Sequence, residues 1–364
     1  MAVSSDQTIE ELLHPIPLEP LTERPLVSVL IANYNYEKYL PEALDSLIAQ
    51  TYGNWEAVVC DDGSTDGSRR LIERYAARDA RIRYVFQPNG GVSSALNSAY
   101  GQSRGEIISL LDADDVFSAT KLEKSVAILR NSPSAGLAIH PLTPVSAGCK
   151  VIGKQIPAAL AHGWVAHEAL KSGGTVTGLP PCSGLTFRRE VTNLLFPIPV
   201  RLRCGSDGYL VRAALMITCV GPVAESLALY RLHGKNITGA TRATPANLRK
   251  NLADFLAVAS AQIEFVRSRY GDAISQRLDP CASFYYRSAG LTYYLLTGLL
   301  PPSGAGLNPE QAIQMFPTKP LRLVWRMLLA MPRFLSSPLF TVWQSPYPGK
   351  KFIRPLARLA KLKA

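Results

Sequence analysis

Three short polar clusters hold residue types from which chemistry can be built: Asn33-Tyr34-Asn35, Asp61-Asp62-Gly63-Ser64 and Asp112-Ala113-Asp114-Asp115. Two aspartates separated by one residue, held in a loop, can turn hard oxygen ligands toward one point and so suit a divalent cation. Such a cation can bridge diphosphate oxygens and neutralise charge on a leaving group. In the second cluster Gly63 permits a tight turn, and Asp62 can accept a hydrogen bond from a base or a ribose. Each acidic cluster also has a plainer reading, because aspartate is a frequent helix cap and both clusters precede helical patterns.

The elements that must position these clusters can be read from apolar periodicity. Leu26 to Ile31, Trp55 to Cys60 and Ile107 to Leu111 are buried runs of strand length, and one cluster follows each of them. Ile82 to Phe86 reads as a further strand. Between them lie helical patterns: Leu40, Ala43, Leu44, Leu47 and Ile48 on one face, then Leu71, Ile72 and Tyr75, then a small-residue helix after Gly90-Gly91. Alternation of this kind predicts an α/β fold with a doubly wound, mostly parallel sheet. Ligands bind beyond the carboxyl ends of such strands, so the three clusters are expected to converge on one rim.

Further along, Ser183 to Arg188 and Ser226 to Arg231 are strand-like, and Asp207 to Met216 is helical. From about Asn247 helical spacing runs toward the end of the chain. The expected organisation is a loose leader over 1–25, a principal domain over 26–240 and a helical, basic C-terminal extension over 241–364.

Charge and cysteine usage exclude several classes. The chain carries a net charge of +11, yet nine basic residues and no acidic ones lie between Pro320 and Ala364. Most of the excess therefore sits in the tail, and the principal domain lacks the general basic surface that nucleic-acid binding favours. Six scattered cysteines show no zinc-like spacing, which suits a reducing compartment. The N-terminus has no basic and apolar signal-peptide pattern, so a cytoplasmic location is expected. Neither a Gly-x-Gly-x-x-Gly fingerprint nor a phosphate-binding loop with Gly-Lys-Ser/Thr is present, which removes dehydrogenases and phosphate-loop hydrolases.

Taken in order, Val27 to Asn35 (VSVLIANYN), Gln50-Thr51-Tyr52, Trp55 to Asp66 (WEAVVCDDGSTD), Asn89-Gly90-Gly91 and Leu110 to Asp115 (LLDADD) resemble the successive motifs of family 2 glycosyltransferases. The resemblance covers roughly 26–240. It implies a GT-A fold, with a nucleotide-sugar half over 26–135 and an acceptor half over 136–240, and transfer with inversion at the anomeric carbon. Carried over by position, Ala32, Tyr34 and Asp62 surround the base, often uracil, and Asp112 approaches the ribose and diphosphate. Asp114 then ligates Mn²⁺ or Mg²⁺, with Asp115 a second candidate because the register of this loop can slip by one. Ala32 stands where many members carry Thr or Pro, a change that only a backbone contact survives.

The resemblance extends to Tyr230-Arg231-Leu232-His233 followed by Asn236, a segment that closes over the diphosphate, with His233 a metal or phosphate contact or else a structural histidine. It also assigns the catalytic base to Asp207, in a small-residue turn before a helical run; Ser206 stands where many members have a first acid. A cap for that helix is the alternative. The implied partners are a nucleotide-sugar donor, UDP-linked in this reading, and a saccharide or lipid-linked acceptor. The basic tail adds an anionic membrane surface, met from the inner face of the plasma membrane. Two rival readings are a nucleotidyltransferase, which wants a Gly-rich basic loop that Leu30 to Tyr36 lacks, and a scaffold that kept the fold without catalysis.

Overall fold

The computed structural model describes residues 12–234, 244–301, 309–314, 316, 319–332 and 336. Asn236, the start of the leader and most of the basic tail lie outside the described residues. The first four predicted strands appear as β1 (Val27–Asn33), β2 (Trp55–Asp61), β3 (Ile82–Phe86) and β4 (Ile107–Leu110). Each is followed by a crossover, and β1, β2, β3 and β4 are mutually parallel. The sheet continues through β8 (Leu185–Arg188), β6 (Ala135–Ile139) and β9 (Cys219–Pro222), in the order β3-β2-β1-β4-β8-β6-β9. Among its described strands only β8 runs against the others. The expected α/β, mostly parallel, doubly wound sheet of GT-A type is therefore present.

Both faces of the sheet are buried, which explains why its strands read as continuous apolar runs. Along β1, Leu30 joins one core while Val27, Val29 and Ile31 join the other, as the two-residue period requires. Helix α1 (Leu40–Ile48) sets Leu40, Ala43, Leu44 and Leu47 on the second face, and α3 (Val92–Gln102) sets Ala95, Leu96 and Ala99 on the first. A smaller sheet of β5 (Val116–Phe117), β10 (Ala228–Leu232) and β7 (Leu142–Ser146) lies beside the acidic cluster, since β5 begins one residue after Asp115.

The chain divides into two units, Met1–Gly239 with Ala257–Leu278, and Ala240–Leu256 with Asp279–Ala364. A boundary near 240 is what periodicity suggests, and the chain changes unit again between Leu256 and Ala257, inside the long helix α8 (Pro245–Tyr270). Val258, Ala261 and Val266 of that helix are buried in the core of the first unit, which carries 257–278 with it. In the second unit, Leu252, Phe255 and Tyr286 form one cluster, and Leu291, Ile313, Trp325 and Leu328 another. Its helices are those expected of a C-terminal helical extension. No helix among the described residues is long and apolar enough to cross a membrane.

Helix α4 (Lys121–Asn131) buries a cation beneath the rim. Lys121 is fully enclosed, and its ammonium donates to the Ser109 hydroxyl and, at 2.7 Å, to Thr186 Oγ1. Burial pulls its pKa down to about 7. Between that value and the unfolded value near 10.4, the unfolded chain binds the proton and the folded chain does not, so stability rises with pH. Urea denaturation should show wild type gaining on Lys121→Met from pH 7 to 10, by at most about 1.4 kcal/mol per pH unit. A gap that ignores pH would mean that the folded chain keeps the lysine charged.

Candidate active site

The first two predicted loops are woven together by side chains. Asn33 Nδ2 donates to Asp61 Oδ1 at 2.7 Å, and the Ser64 hydroxyl donates to the same oxygen at 2.5 Å. Asn35 takes the left-handed conformation, φ 59°, which asparagine tolerates better than most residues. From there its Oδ1 accepts from Thr65 N at 2.7 Å and its own N–H donates to Ser64 Oγ at 2.9 Å. The asparagines of this loop thus build the rim rather than project from it.

Asp62 closes the third side. Its Oδ1 accepts from Gln87 Nε2 at 2.7 Å and Gly90 N at 2.8 Å, and its Oδ2 accepts from Gly91 N at 2.8 Å. Gly91 sits at φ 89° with the Arg203 backbone 3.1 Å from where a Cβ would be, so glycine is required there. Asp62 is buried and does not line the pocket described next. Exposed Tyr34 does not line it either.

At the carboxyl ends of β1 and β4 a pocket opens whose wall includes Ala32, Asp112, Asp114 and Asp207. Tyr36, Tyr230, Cys182, Cys204 and Ser206 add to its polar lining, and Val92 and Leu96 form an apolar patch. The sequence therefore brings three of its predicted acids, and Ala32, to one place. Asp207 lies in the first turn of α7 (Ser206–Ala214), whose N-cap is Gly205 in the left-handed conformation, φ 81°. The N-cap position is therefore held by Gly205, and Asp207 stands inside the helix.

Crowding and burial disturb these acids. Burial, then the charges of Asp114 and Asp207, push Asp112 up to about 7. Burial also raises Asp207 and Asp114, the latter despite the opposing pull of His233 and Arg231. His233 Nε2 meets Asp114 Oδ2 at 2.9 Å, and its ring stacks on Tyr39 with centroids 4.7 Å apart. It stands behind Asp114 and does not itself line the pocket. Asp115, the alternative metal ligand, is 1% exposed and also outside the lining. Its Oδ1 accepts from Arg231 N at 2.9 Å and its Oδ2 from the Ser183 hydroxyl at 2.6 Å, so it braces the loop.

The profile of Glycosyl transferase family 2 matches residues 28–142. The chain is 38% identical over 216 residues to an uncharacterized glycosyltransferase of Nostoc sp., covering 58% of this chain and 66% of that one. It is 36% identical over 222 residues to the putative teichuronic acid biosynthesis glycosyltransferase TuaG of Bacillus subtilis, covering 59% of this chain and 82% of TuaG. The chain belongs to the family 2 glycosyltransferases. The match to another relative, the uncharacterized glycosyltransferase EpsJ of B. subtilis, spans only 29% of that protein. The fold is also that of S. aureus TarS 1–349 in complex with UDP-GlcNAc, with a TM-score of 0.50 at 17% identity over 82% of this chain and 86% of that 1–349 chain.

Within this glycosyltransferase, several lining residues escaped the sequence reading. Tyr36, Cys182 and Cys204 have no spacing that marks them, whereas Tyr230 falls in the segment named with His233, and the short, small-residue strands β6 and β9 give no clear period. Tyr36 is separated from Tyr34 by one residue, and a two-residue period would have placed both on one side, but the left-handed Asn35 between them breaks that rule.

The Asp62 clamp gives a test that separates scaffold from ligand contact. Asparagine must turn an NH₂ toward a backbone N–H, leaving a buried donor unpaired, at about 1–3 kcal/mol. Asp62→Asn should therefore lower the urea midpoint in the absence of any ligand, whereas a residue that served only the nucleotide would leave it unchanged.

Proposed function

We propose that this chain transfers a sugar from a nucleotide-diphosphate sugar to a saccharide or lipid-linked acceptor, with inversion and with the help of a divalent cation. One observation carries the reading: Asp112 and Asp114, from the loop after β4, share a pocket with Asp207 of the first turn of α7, and its described lining contains no lysine or arginine. Mutually repelling carboxylates held above their ordinary pKa suit a centre that is completed by a cation. Asp114, steadied by His233, and Asp112 would hold Mn²⁺ or Mg²⁺. No three acidic, histidine or cysteine side chains among the described residues form a metal set on their own, so remaining ligands come from donor or water. Bound there, the cation supplies charge neutralisation for the departing diphosphate.

Asp207 is the proposed base that takes the acceptor proton. Burial raises its carboxyl, which makes it a stronger base than an exposed aspartate, and it faces the same cavity as the metal-side acids. UDP is the proposed nucleotide, supported by the UDP-GlcNAc complex of TarS in this fold. The proposed role in polysaccharide assembly draws support from the name of TuaG.

Asp207→Asn should keep its fold and its binding of UDP with Mn²⁺, yet lose turnover of the active sugar nucleotide by about 10² to 10⁴-fold. Asp114→Ala should lose both turnover and the Mn²⁺-dependent part of UDP binding. Asp66→Ala removes acceptors for the Glu37 and Ser68 N–H groups at the edge of the rim and should leave transfer largely intact. Wild-type turnover by the Asp114 variant in chelated buffer refutes the metal assignment.

The membrane part of the reading rests on the tail. Seven of its basic residues, from Arg333 to Lys363, follow Pro332 without an acidic residue among them. Each is worth about 1 kcal/mol near an anionic surface and loses that in salt. Sedimentation with phosphatidylglycerol vesicles at low ionic strength should retain the full chain and release one ending at Pro332. Equal retention of both removes the tail as anchor, and with it the proposed inner-face location.

A further inference from the structure

We propose that Arg231 is the positioning residue of the acidic loop, fixing the backbone and carboxylates of Asp114 and Asp115 from behind without reaching the pocket. The inference rests on the proposed function for its catalytic consequence, but the juxtaposition stands on the geometry. Arg231 is 1% exposed, in β10, and spreads its donors over three elements. Nε donates to the Asp114 carbonyl at 2.7 Å, one terminal nitrogen to the Ala147 carbonyl at 2.9 Å, and the other to Glu42 Oε2 at 2.8 Å. Its backbone N–H donates to Asp115 Oδ1 at 2.9 Å.

The aromatic side closes the arrangement. The guanidinium lies 5.0 Å from the centroid of Tyr39, the same ring on which His233 stacks while meeting Asp114 Oδ2. The guanidinium thus holds the Asp114 main chain and backs the ring on which the Asp114-bound imidazole stacks, while the backbone of the same residue holds the neighbouring Asp115 carboxylate. Three acceptors on three elements match the rigid planar fork of arginine, and a lysine, whose donors radiate from one point, cannot span them. The positive charge also sits behind a cluster of carboxylates that repel one another. Loss of the fork should let the loop relax outward, and a misplacement on the order of 1 Å costs about 10²-fold in rate.

The test is amide hydrogen exchange by mass spectrometry on the full chain without metal or nucleotide, paired with steady-state kinetics on UDP-GlcNAc in Mn²⁺. In Arg231→Lys, amides of 112–117 should exchange about tenfold faster, while those of Val27–Asn33 and Trp55–Asp61 keep wild-type protection. The kcat should fall about 10²-fold, with KM for the donor changing less. Glu42→Ala, on a half-exposed partner, should reproduce the local loosening at about threefold. Unchanged exchange at 112–117 in both variants overturns the proposal, as does loosening spread evenly through the sheet, which would make Arg231 a general stabiliser. A wild type that turns over no sugar nucleotide sinks the functional reading instead, and leaves the exchange pattern to decide Arg231.

Discussion

Four carboxylates, those of Asp112, Asp114, Asp115 and Asp207, are gathered at the carboxyl ends of one sheet, and most features of the first unit answer to that crowding. Like charges at this separation raise one another's pKa, and burial adds to the effect. A fold can hold such a cluster only if the backbone beneath it is stiff. Parallel strands buried on both faces supply that stiffness, and β1 hydrogen-bonds β2 on one side and β4 on the other, so the three loops cannot drift apart. The fold and the site are linked through this one constraint.

Below the rim the chemistry is arranged so as not to neutralise the acids in advance. Lys121, the cation buried under the loop, is drawn toward its neutral form and spends its donors on Ser109 and Thr186. His140, also buried, is held down to about 3 by burial and then by Lys121. Arg231 keeps its charge but directs it to Glu42 and to backbone carbonyls. The pocket side of the cluster is thereby left electronegative, the condition under which a divalent cation binds most strongly.

Much of this was legible in the sequence because it is written in local periodicity. Continuous apolar runs ending in Asn33, Asp61 and Asp112 gave the parallel sheet and the convergence of its loops, since strand direction alone puts those ends on one edge. What stayed illegible depends on partners distant in sequence. Arg231 reaches Asp114 across 117 residues and Glu42 across 189, and neither spacing leaves a trace in a local pattern. Ser183, which donates to Asp115 and accepts from Asp112 N, sits in a segment read only as strand. The division of the chain was hidden for a related reason, because a helix such as α8 has one unbroken period while its two halves belong to different cores.

Asp62 and Asp114 show how identical residues at equivalent places reach different ends. Both follow a buried parallel strand, and sequence alone gives each the same two choices, cap or ligand contact. Asp62 lies opposite a glycine turn whose N–H groups point back at it, and with Gln87 they supply three donors to its two oxygens. A carboxylate so held cannot move away without leaving its amides unpaired. Asp114 instead meets an imidazole, and it lines the cavity that Asp112 and Asp207 share. The difference between the two lies in the donors that the opposing loop presents, and Gly90 and Gly91, by exposing their N–H groups, tie Asp62 into the rim while Asp114 faces the cavity.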